Sequence, residues 1–462
     1  MQWTRLASLL LPCLTGLAVP LAAHAQATVP LTLQLATTCP TGQIELHGLL
    51  GAVEEAAAPL LAPGAPPPVP GVWVTLDRPG LRWTKPLDEP LVLPLRVLSG
   101  GDLPQIRLRR CPQGPLRLKI RDADGRVVLD HRSTGAPTDR WLSIPLAKFA
   151  AARPLPRIDY GRQVLAFFYG WYGAPDGPAG KWLHWNPNQP HHDSTHTPVL
   201  GWHDSADEKA LAQQAIWGKE AGLDGFVVSL WPKEPHQDLM LQRFLAASHA
   251  AGLTVSGYLE AGDTPEQVAK QLEQLAEGPA QHPAWQRLHG RPVLFLYTRI
   301  VGLLKSKGLA ALRAQEAKQA AAAGRQAFFL IADTTNPAYL PAADGLHTYM
   351  AGNNPAGYRT ELEVDGRHAR LHDSLLVANI VPGYDDSNIR IPGTLVHREE
   401  GRLYPANWAA ANRADWVIIT SWNEWHEGSC IEPAKEYGEQ YLRWTRQLAT
   451  AWRRGSRTTS VP

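Results

Sequence analysis

The amino-acid sequence predicts an α/β fold, a (β/α)₈ TIM barrel preceded by a small antiparallel β-sandwich domain. Three observations carry this prediction. From about residue 160, eight continuous apolar runs alternate with stretches of helical spacing. Before that point, short runs alternate apolar and polar residues between turn residues, the period of a half-buried strand. Polar and aromatic side chains gather just after the apolar runs, where a barrel builds its site.

At 462 residues the chain is long enough for two domains, and 44% hydrophobic with 19% charged content excludes wholesale disorder. A net charge of +2 excludes a large electrostatic footprint for nucleic acid. The 17 tryptophans stand out; most belong in a core, and indole faces also suit sugar rings. Residues 1–25 read as a signal peptide: Arg5, an apolar run from Leu6 to Ala22, then Ala23-His24-Ala25. That reading makes the protein exported, periplasmic or extracellular, with no membrane association after cleavage. A retained anchor is the alternative, disfavoured by Pro12, Pro20 and a run short for a span of ~20 residues.

Residues 26–157 form the predicted sandwich, with runs such as VPLTLQLAT, LVLPLRVL and LRLKIRD. Residues 56–71 are a proline-rich insert. Export allows a disulfide, and Cys39 with Cys111 is the natural pair in this region, leaving Cys430 free. The domain reads equally as a spacer, a lid or a sugar-binding module.

Residues 158–455 form the predicted barrel. Its strands are read in VLAFFYGWY, GFVVSLWP, LTVSGYLEAG, RPVLFLYTR, QAFFLIADT, GLHTYMAGN, SLLVANIVPGY and DWVIITSWNE. Strands apolar on both faces need cover on both, which a parallel α/β sheet supplies. Gly222 marks the end of the first helix; Thr264 and Pro265 mark the cap and first turn of the third. The helix between GLHTYMAGN and SLLVANIVPGY is poorly marked. A doubly wound open sheet is the alternative arrangement.

The strand ends supply the candidate site. The first carries Tyr169, Trp171 and Tyr172 and runs into His184 and Trp185; the second ends at Trp231 and the third at Glu260. Tyr349 follows the sixth, Tyr384, Asp385 and Arg390 the seventh, and Asn423, Glu424, His426 and Glu427 the eighth. Paired carboxylates among aromatics point to glycoside hydrolysis. Acids that flank a glycosidic bond usually come from different strands, whereas Glu424 and Glu427 share one loop and project to one side. They can serve adjacent atoms of one sugar. Close like charges also raise one pKa, which keeps an acid protonated. The simpler alternative is one catalytic glutamate and one that only binds or packs.

FFYGWYG, KWLHWN, NIVPGYDDSNIR and ITSWNEWHEGSCIEP resemble, in the same order, segments of the family 99 glycoside hydrolases, the endo-α-mannosidases and endo-α-mannanases. The resemblance spans about residues 164–445 and implies a barrel, no cofactor and no metal. It implies retaining endo-cleavage of α-mannosides through a 1,2-anhydro sugar. On this resemblance Glu424 is the base assisting the substrate's 2-hydroxyl, and Glu427 the acid that later activates water. Tyr172, His184, Trp231, Tyr349 and Arg390 match sugar-contacting positions. The chain departs from the family in HEGSCIE, where HEGTQIE is common, and in its N-terminal β-domain.

The expected partner is a polysaccharide or oligosaccharide substrate; the sequence leaves oligomeric state open. The HHDSTH segment, residues 191–196, is a polar loop or, as the alternative, a metal cluster. Three rival functions remain: a barrel glycosidase with an ordinary nucleophile, for which Glu260 is the candidate, a non-catalytic carbohydrate-binding protein, and a structural partner in polysaccharide export with the barrel as a scaffold.

Overall fold

The computed structural model describes residues 158–455 apart from 232–233, 337–338, 341 and 350–353, and parts of residues 28–143 before them. The signal segment, the proline-rich insert, Cys39 and Cys111 lie outside the described residues.

The N-terminal region contains two five-stranded antiparallel sheets. One is centred on Thr28–Thr37, which pairs with Leu91–Leu98 and Leu116–Asp122; the other on Gly42–His47, which pairs with Gly80–Trp83 and Gln105–Arg110. The period-two pattern works as read: Leu31, Leu33 and Leu35 are buried while their neighbours are half-buried. Gly42–His47 and Gly80–Trp83 were not among the predicted runs, being short and interrupted by charge.

The eight predicted barrel strands are β1 (Gln163–Phe168), β2 (Gly225–Leu230), β3 (Thr254–Leu259), β4 (Arg291–Leu296), β5 (Phe329–Asp333), β6 (Gly345–His347), β7 (Leu375–Ile380) and β8 (Trp416–Ile419). They pair in parallel, in sequence order, and β8 returns to β1 through Gln163↔Trp416 to Ala166↔Ile419. The ring is therefore closed, which excludes the open doubly wound sheet. Side chains alternate between two cores. Val164, Ala166 and Phe168 of β1 pack outward under the helices, and Leu165 and Phe167 fill the ring. Each fully buried Val, Leu or Phe side chain among them contributes roughly 1.5–3 kcal/mol.

The described helices are α1 (Glu208–Glu220), α2 (Pro235–Ala250), α3 (Pro265–Glu277), α4 (Thr298–Ala322), α5 (Pro355–Leu371), α6 (Leu403–Ala410) and α7 (Gln440–Arg453). Asp207 caps α1 by accepting from the Lys209 and Ala210 N–H groups, and Gly222 lies just beyond it at φ +77°. The Thr264 hydroxyl caps α3 through the Gln267 N–H, with Pro265 in the first turn, as the sequence predicts. The poorly marked α5 is a full helix. Among the described residues, the connection without an α-helix lies instead between β5 and β6.

Candidate active site

The site lies at the carboxyl ends of the strands, and the loop after β8 supplies its acids. That loop is fixed from below. The Trp422 N–H donates to Phe167 O at 2.7 Å, and the Glu424 N–H donates to Ser421 Oγ at 2.8 Å. Asn423 is fully buried: its Oδ1 accepts from the Tyr169 N–H at 2.8 Å and its Nδ2 donates to Tyr169 O at 2.9 Å. Asn423, expected to touch substrate, thus spends its amide on the end of β1.

Glu424 is 3% exposed, and the Tyr172 hydroxyl donates to its Oε1 at 3.4 Å. That hydroxyl is itself held by the Trp425 N–H at 3.1 Å. Burial, joined by the charges of Glu427 and Glu260, pushes the Glu424 carboxyl well above the usual range, so it favours its protonated form. Glu427 is half-buried. Its Oε1 accepts from Nη1 and Nη2 of Arg390, both at 3.0 Å, and its Oε2 accepts from the Tyr349 hydroxyl at 3.4 Å. Tyr349 in turn shares a 2.7 Å hydrogen bond with Tyr169 Oη. The charges of Glu427, Glu424 and Glu260 all act on Tyr349, and with burial as the largest cause they hold its phenol well above the usual value. The three carboxyls therefore converge on one pair of tyrosines.

Glu260, just beyond β3, is 8% exposed and its Oε1 has no hydrogen-bond partner. Burial pushes its carboxyl up to about 7; the Ser229 hydroxyl opposes the shift, and the charges of Glu427 and Asp333 add to it. Ser229 Oγ also accepts from Trp231 Nε1 at 3.1 Å, which ties the second strand end to the third.

The loop after β7 is organised by Asp386. Its carboxylate accepts from Tyr384 Oη at 2.8 Å, Arg390 Nη1 at 2.5 Å and the Thr394 N–H at 2.5 Å. Burial opposes ionisation there, yet these hydrogen bonds hold the carboxyl below its usual value. Arg390 Nη1 also donates to Tyr384 Oη at 2.7 Å, so Tyr384 and Asp386 aim the guanidinium at Glu427. The Asp385 carboxylate serves its own turn, accepting from the Ser387 N–H and hydroxyl, while its backbone N–H donates to Glu427 O at 2.8 Å.

The aromatic residues occupy two layers. Trp185 is 2% exposed, stacks on Tyr172 at 3.9 Å and donates from Nε1 to His203 O. It backs Tyr172 and does not line the opening. His426 sits edge-on to both rings with its Nε2 at 3.2 Å from His192 O, and burial lowers its pKa to about 4. His184 is exposed and stacks on Trp171 at 5.0 Å. Among the described residues no group of three His, Cys, Asp or Glu side chains is placed to hold a metal ion, the 191–196 loop included.

Several contributors escaped sequence reasoning. Asp333, at the end of β5, accepts from Tyr258 Oη at 2.8 Å and from the Tyr349 N–H at 3.1 Å, and so seats Tyr349. Arg398 lies half-buried over the rings of Tyr437 and Tyr441 and donates to Gly428 O at 2.8 Å and Cys430 O at 2.7 Å, which pins the loop carrying Glu427. No spacing marks either residue; only Tyr169, already a strand-end aromatic, carried a signal.

This constellation provides a buried carboxyl that favours its proton beside an ion-paired one, a third carboxyl pushed up to about 7, and tyrosines aimed at them. It is equipped for acid–base chemistry on a polyol. The comparisons with known proteins agree. The chain is 24% identical over 335 residues to the glycoprotein endo-alpha-1,2-mannosidase of Rattus norvegicus, covering 63% of this chain and 71% of that one. It is 25% identical over 332 residues to the glycoprotein endo-alpha-1,2-mannosidase-like protein of Mus musculus, covering 62% and 73%. The solved GH99 endo-alpha-mannosidase of Bacteroides thetaiotaomicron superposes with a TM-score of 0.56 at 25% identity, over 63% of this chain and 98% of that one. The model of glycosyl hydrolase family 99 matches residues 159–447, and with that match over the whole barrel the chain belongs to glycosyl hydrolase family 99.

Proposed function

We propose that the protein is an exported retaining endo-glycosidase that cleaves internal α-mannoside-type linkages of a polysaccharide with participation of the substrate's 2-hydroxyl. The observation that carries this reading is the placement of Glu424 and Glu427 on one loop, both acting on Tyr349. Acids so placed serve neighbouring atoms of one sugar. Glu424 takes the proton of the 2-hydroxyl as that oxygen attacks the anomeric carbon, and Glu427 protonates the departing oxygen. Water then opens the 1,2-anhydro sugar: Glu427 takes its proton and Glu424 returns a proton to O2. Two inversions give net retention.

The static arrangement starts one step away from this cycle. Glu424 favours its proton and Glu427 is ion-paired with Arg390. The cycle begins once Glu424 has given up that proton, and a 2-hydroxyl donating to Glu424 favours its charged form.

The test is a polysaccharide panel that includes α-mannans, with product analysis by NMR. Oligosaccharides released first as α-anomers, loss of turnover in Glu424→Gln and Glu427→Gln, and inert 2-deoxy substrates are expected. A β-anomer as first product, turnover of a 2-deoxy substrate, or a trapped glycosyl ester on Glu260 would overturn it.

A further inference from the structure

Charge is nearly balanced over the whole chain, at +2, but not on one face of the first N-terminal sheet. Along Leu116–Asp122 the side chains of Leu116, Leu118 and Ile120 are buried, so Arg117, Lys119 and Arg121 all project to the other face. The neighbouring strand Val127–Ser133, last in that sheet, sets Arg132 directly opposite Arg117 and Asp130 directly opposite Lys119. Four cations thus share a face with one carboxylate.

Asp130 is spent on the cations within its reach. It accepts from Arg117 Nε at 3.3 Å and Nη2 at 3.0 Å, while Lys119 Nζ and Arg132 Nε stand 3.8 and 3.9 Å away. The acids of the adjoining turn are committed elsewhere. Asp122 accepts from the Asp124 and Arg126 N–H groups, and Asp124 pairs with Arg126 at 3.7 Å. The face keeps a positive surplus.

Solvation explains exposed charge in general. It does not explain Arg117 facing Arg132, because like charges directly opposite destabilise a strand pair. An anion from outside the chain relieves that repulsion. The ground beside the cations is also level. Thr28–Thr37 lies on the other side of Leu116–Asp122 and sets Ala36, Gln34 and Thr32 opposite Arg117, Lys119 and Arg121, so the charged row borders a strip of uncharged side chains. Along the strand the cations recur every second residue, about 6.8 Å apart. The outer ones are open to a polymer: the Arg117 and Arg132 side chains are 42% and 67% exposed. Arginine forks suit carboxylates, and the Arg117–Asp130 pair already displays that fit.

We propose that this face of the N-terminal region binds a polysaccharide bearing carboxylates along its length, with Lys119, Arg121 and Arg132 as the cations that meet it. Charge complementarity selects the anion, and the glycosidase barrel in the same chain selects a polysaccharide over a membrane or a nucleic acid. Polymer held there is presented to the barrel at a raised local concentration. That the anion belongs to a polysaccharide rests on the proposed function; the binding of a polyanion does not.

The test measures binding of the full-length protein to alginate, a polyuronate, and to neutral α-mannan, with anionic phosphatidylglycerol vesicles and duplex DNA as further probes. Wild type is compared with Lys119→Gln/Arg121→Gln/Arg132→Gln, which leaves the Arg117–Asp130 pair in place, and with the charge-keeping Lys119→Arg/Arg121→Lys/Arg132→Lys. Thermal melting establishes that both variants fold. Alginate affinity falls roughly tenfold in the glutamine variant, stays near wild type in the charge-keeping one and weakens as salt rises. Binding to α-mannan does not change between the three proteins. No alginate binding by wild type, or equal binding by the glutamine variant, overturns the face as a polyanion site. Vesicles or DNA bound as tightly as alginate overturn its assignment to a polysaccharide. Each of these outcomes is read without turnover, so failure of the glycosidase reading shows separately, as a polysaccharide panel that yields no product.

Discussion

Arg390 grips Glu427 with both terminal nitrogens on a single carboxylate oxygen, each at 3.0 Å, leaving the other oxygen to the Tyr349 hydroxyl. The guanidinium is aimed by Asp386 and Tyr384, four and six residues earlier in its own loop. Replacing Arg390 by Ala removes a charge-assisted pair worth about 1.5–3 kcal/mol, so kcat/KM should fall roughly 10- to 100-fold. Arg390→Lys should recover little, since an ammonium cannot span Tyr384, Asp386 and Glu427 together. Steady-state kinetics on the cleaved substrate check both.

The Tyr169–Tyr349 hydroxyl pair predicts a non-additive double variant. Tyr349→Phe deprives Tyr169 and Glu427 of a partner, and Tyr169→Phe deprives Tyr349. Each should cost about 1 kcal/mol in transition-state stabilisation, and the double variant clearly less than the sum. Additive losses in a kinetic double-mutant cycle would contradict the coupling.

Gly428 follows Glu427 at φ +59°, and a Cβ there would lie 2.6 Å from Thr195 Oγ1 and 3.1 Å from Asp385 O. Gly428→Ala should therefore displace the acid loop, adding about 1–3 kcal/mol of strain. kcat should drop more than KM rises, and Tm should fall modestly. An unchanged kcat would mean that the loop yields without moving Glu427.

Stability should fall as pH rises. Glu432 is fully buried, with Oε1 accepting from Gln214 Nε2 at 3.0 Å and Oε2 unpartnered, and burial pushes its carboxyl up to about 8. Glu260 is pushed to about 7. Both carboxyls hold protons in the folded chain that the unfolded chain has already released. Each therefore costs up to about 1.4 kcal/mol per pH unit between the unfolded carboxylate range and its raised value. Denaturant unfolding across pH 5 to 8 should show this decline. Glu432→Gln, which keeps the shape and loses the titration, should flatten it.

How much of this was legible depends on the range over which a residue's role is decided. The strands were readable because being buried on both faces forces unbroken apolar runs such as VLAFF and FLIAD. Thr264 and Gly222 were readable because caps act within a turn. The placement of Glu424, Glu427, Tyr349 and Glu260 at strand ends followed from topology alone. The use of Asn423, Arg398 and Asp333 did not, because each is settled by a partner brought in by ring closure: Tyr169, Gly428 with Cys430, and Tyr258 with Tyr349. The same limit applies to Trp185, whose indole reads as a sugar platform in sequence and backs Tyr172 in space.

The Asn423 amide stitches the last strand's loop to the backbone of the first across 254 positions of chain. Such a contact is the most entropically demanding kind to form and comes only when the barrel's two halves meet. The pocket is therefore assembled at the seam, and a chain arrested short of that joining has no catalytic centre to misuse. Recovery of turnover during refolding should trail the return of helical signal, making enzyme activity a clock for completion of the circle.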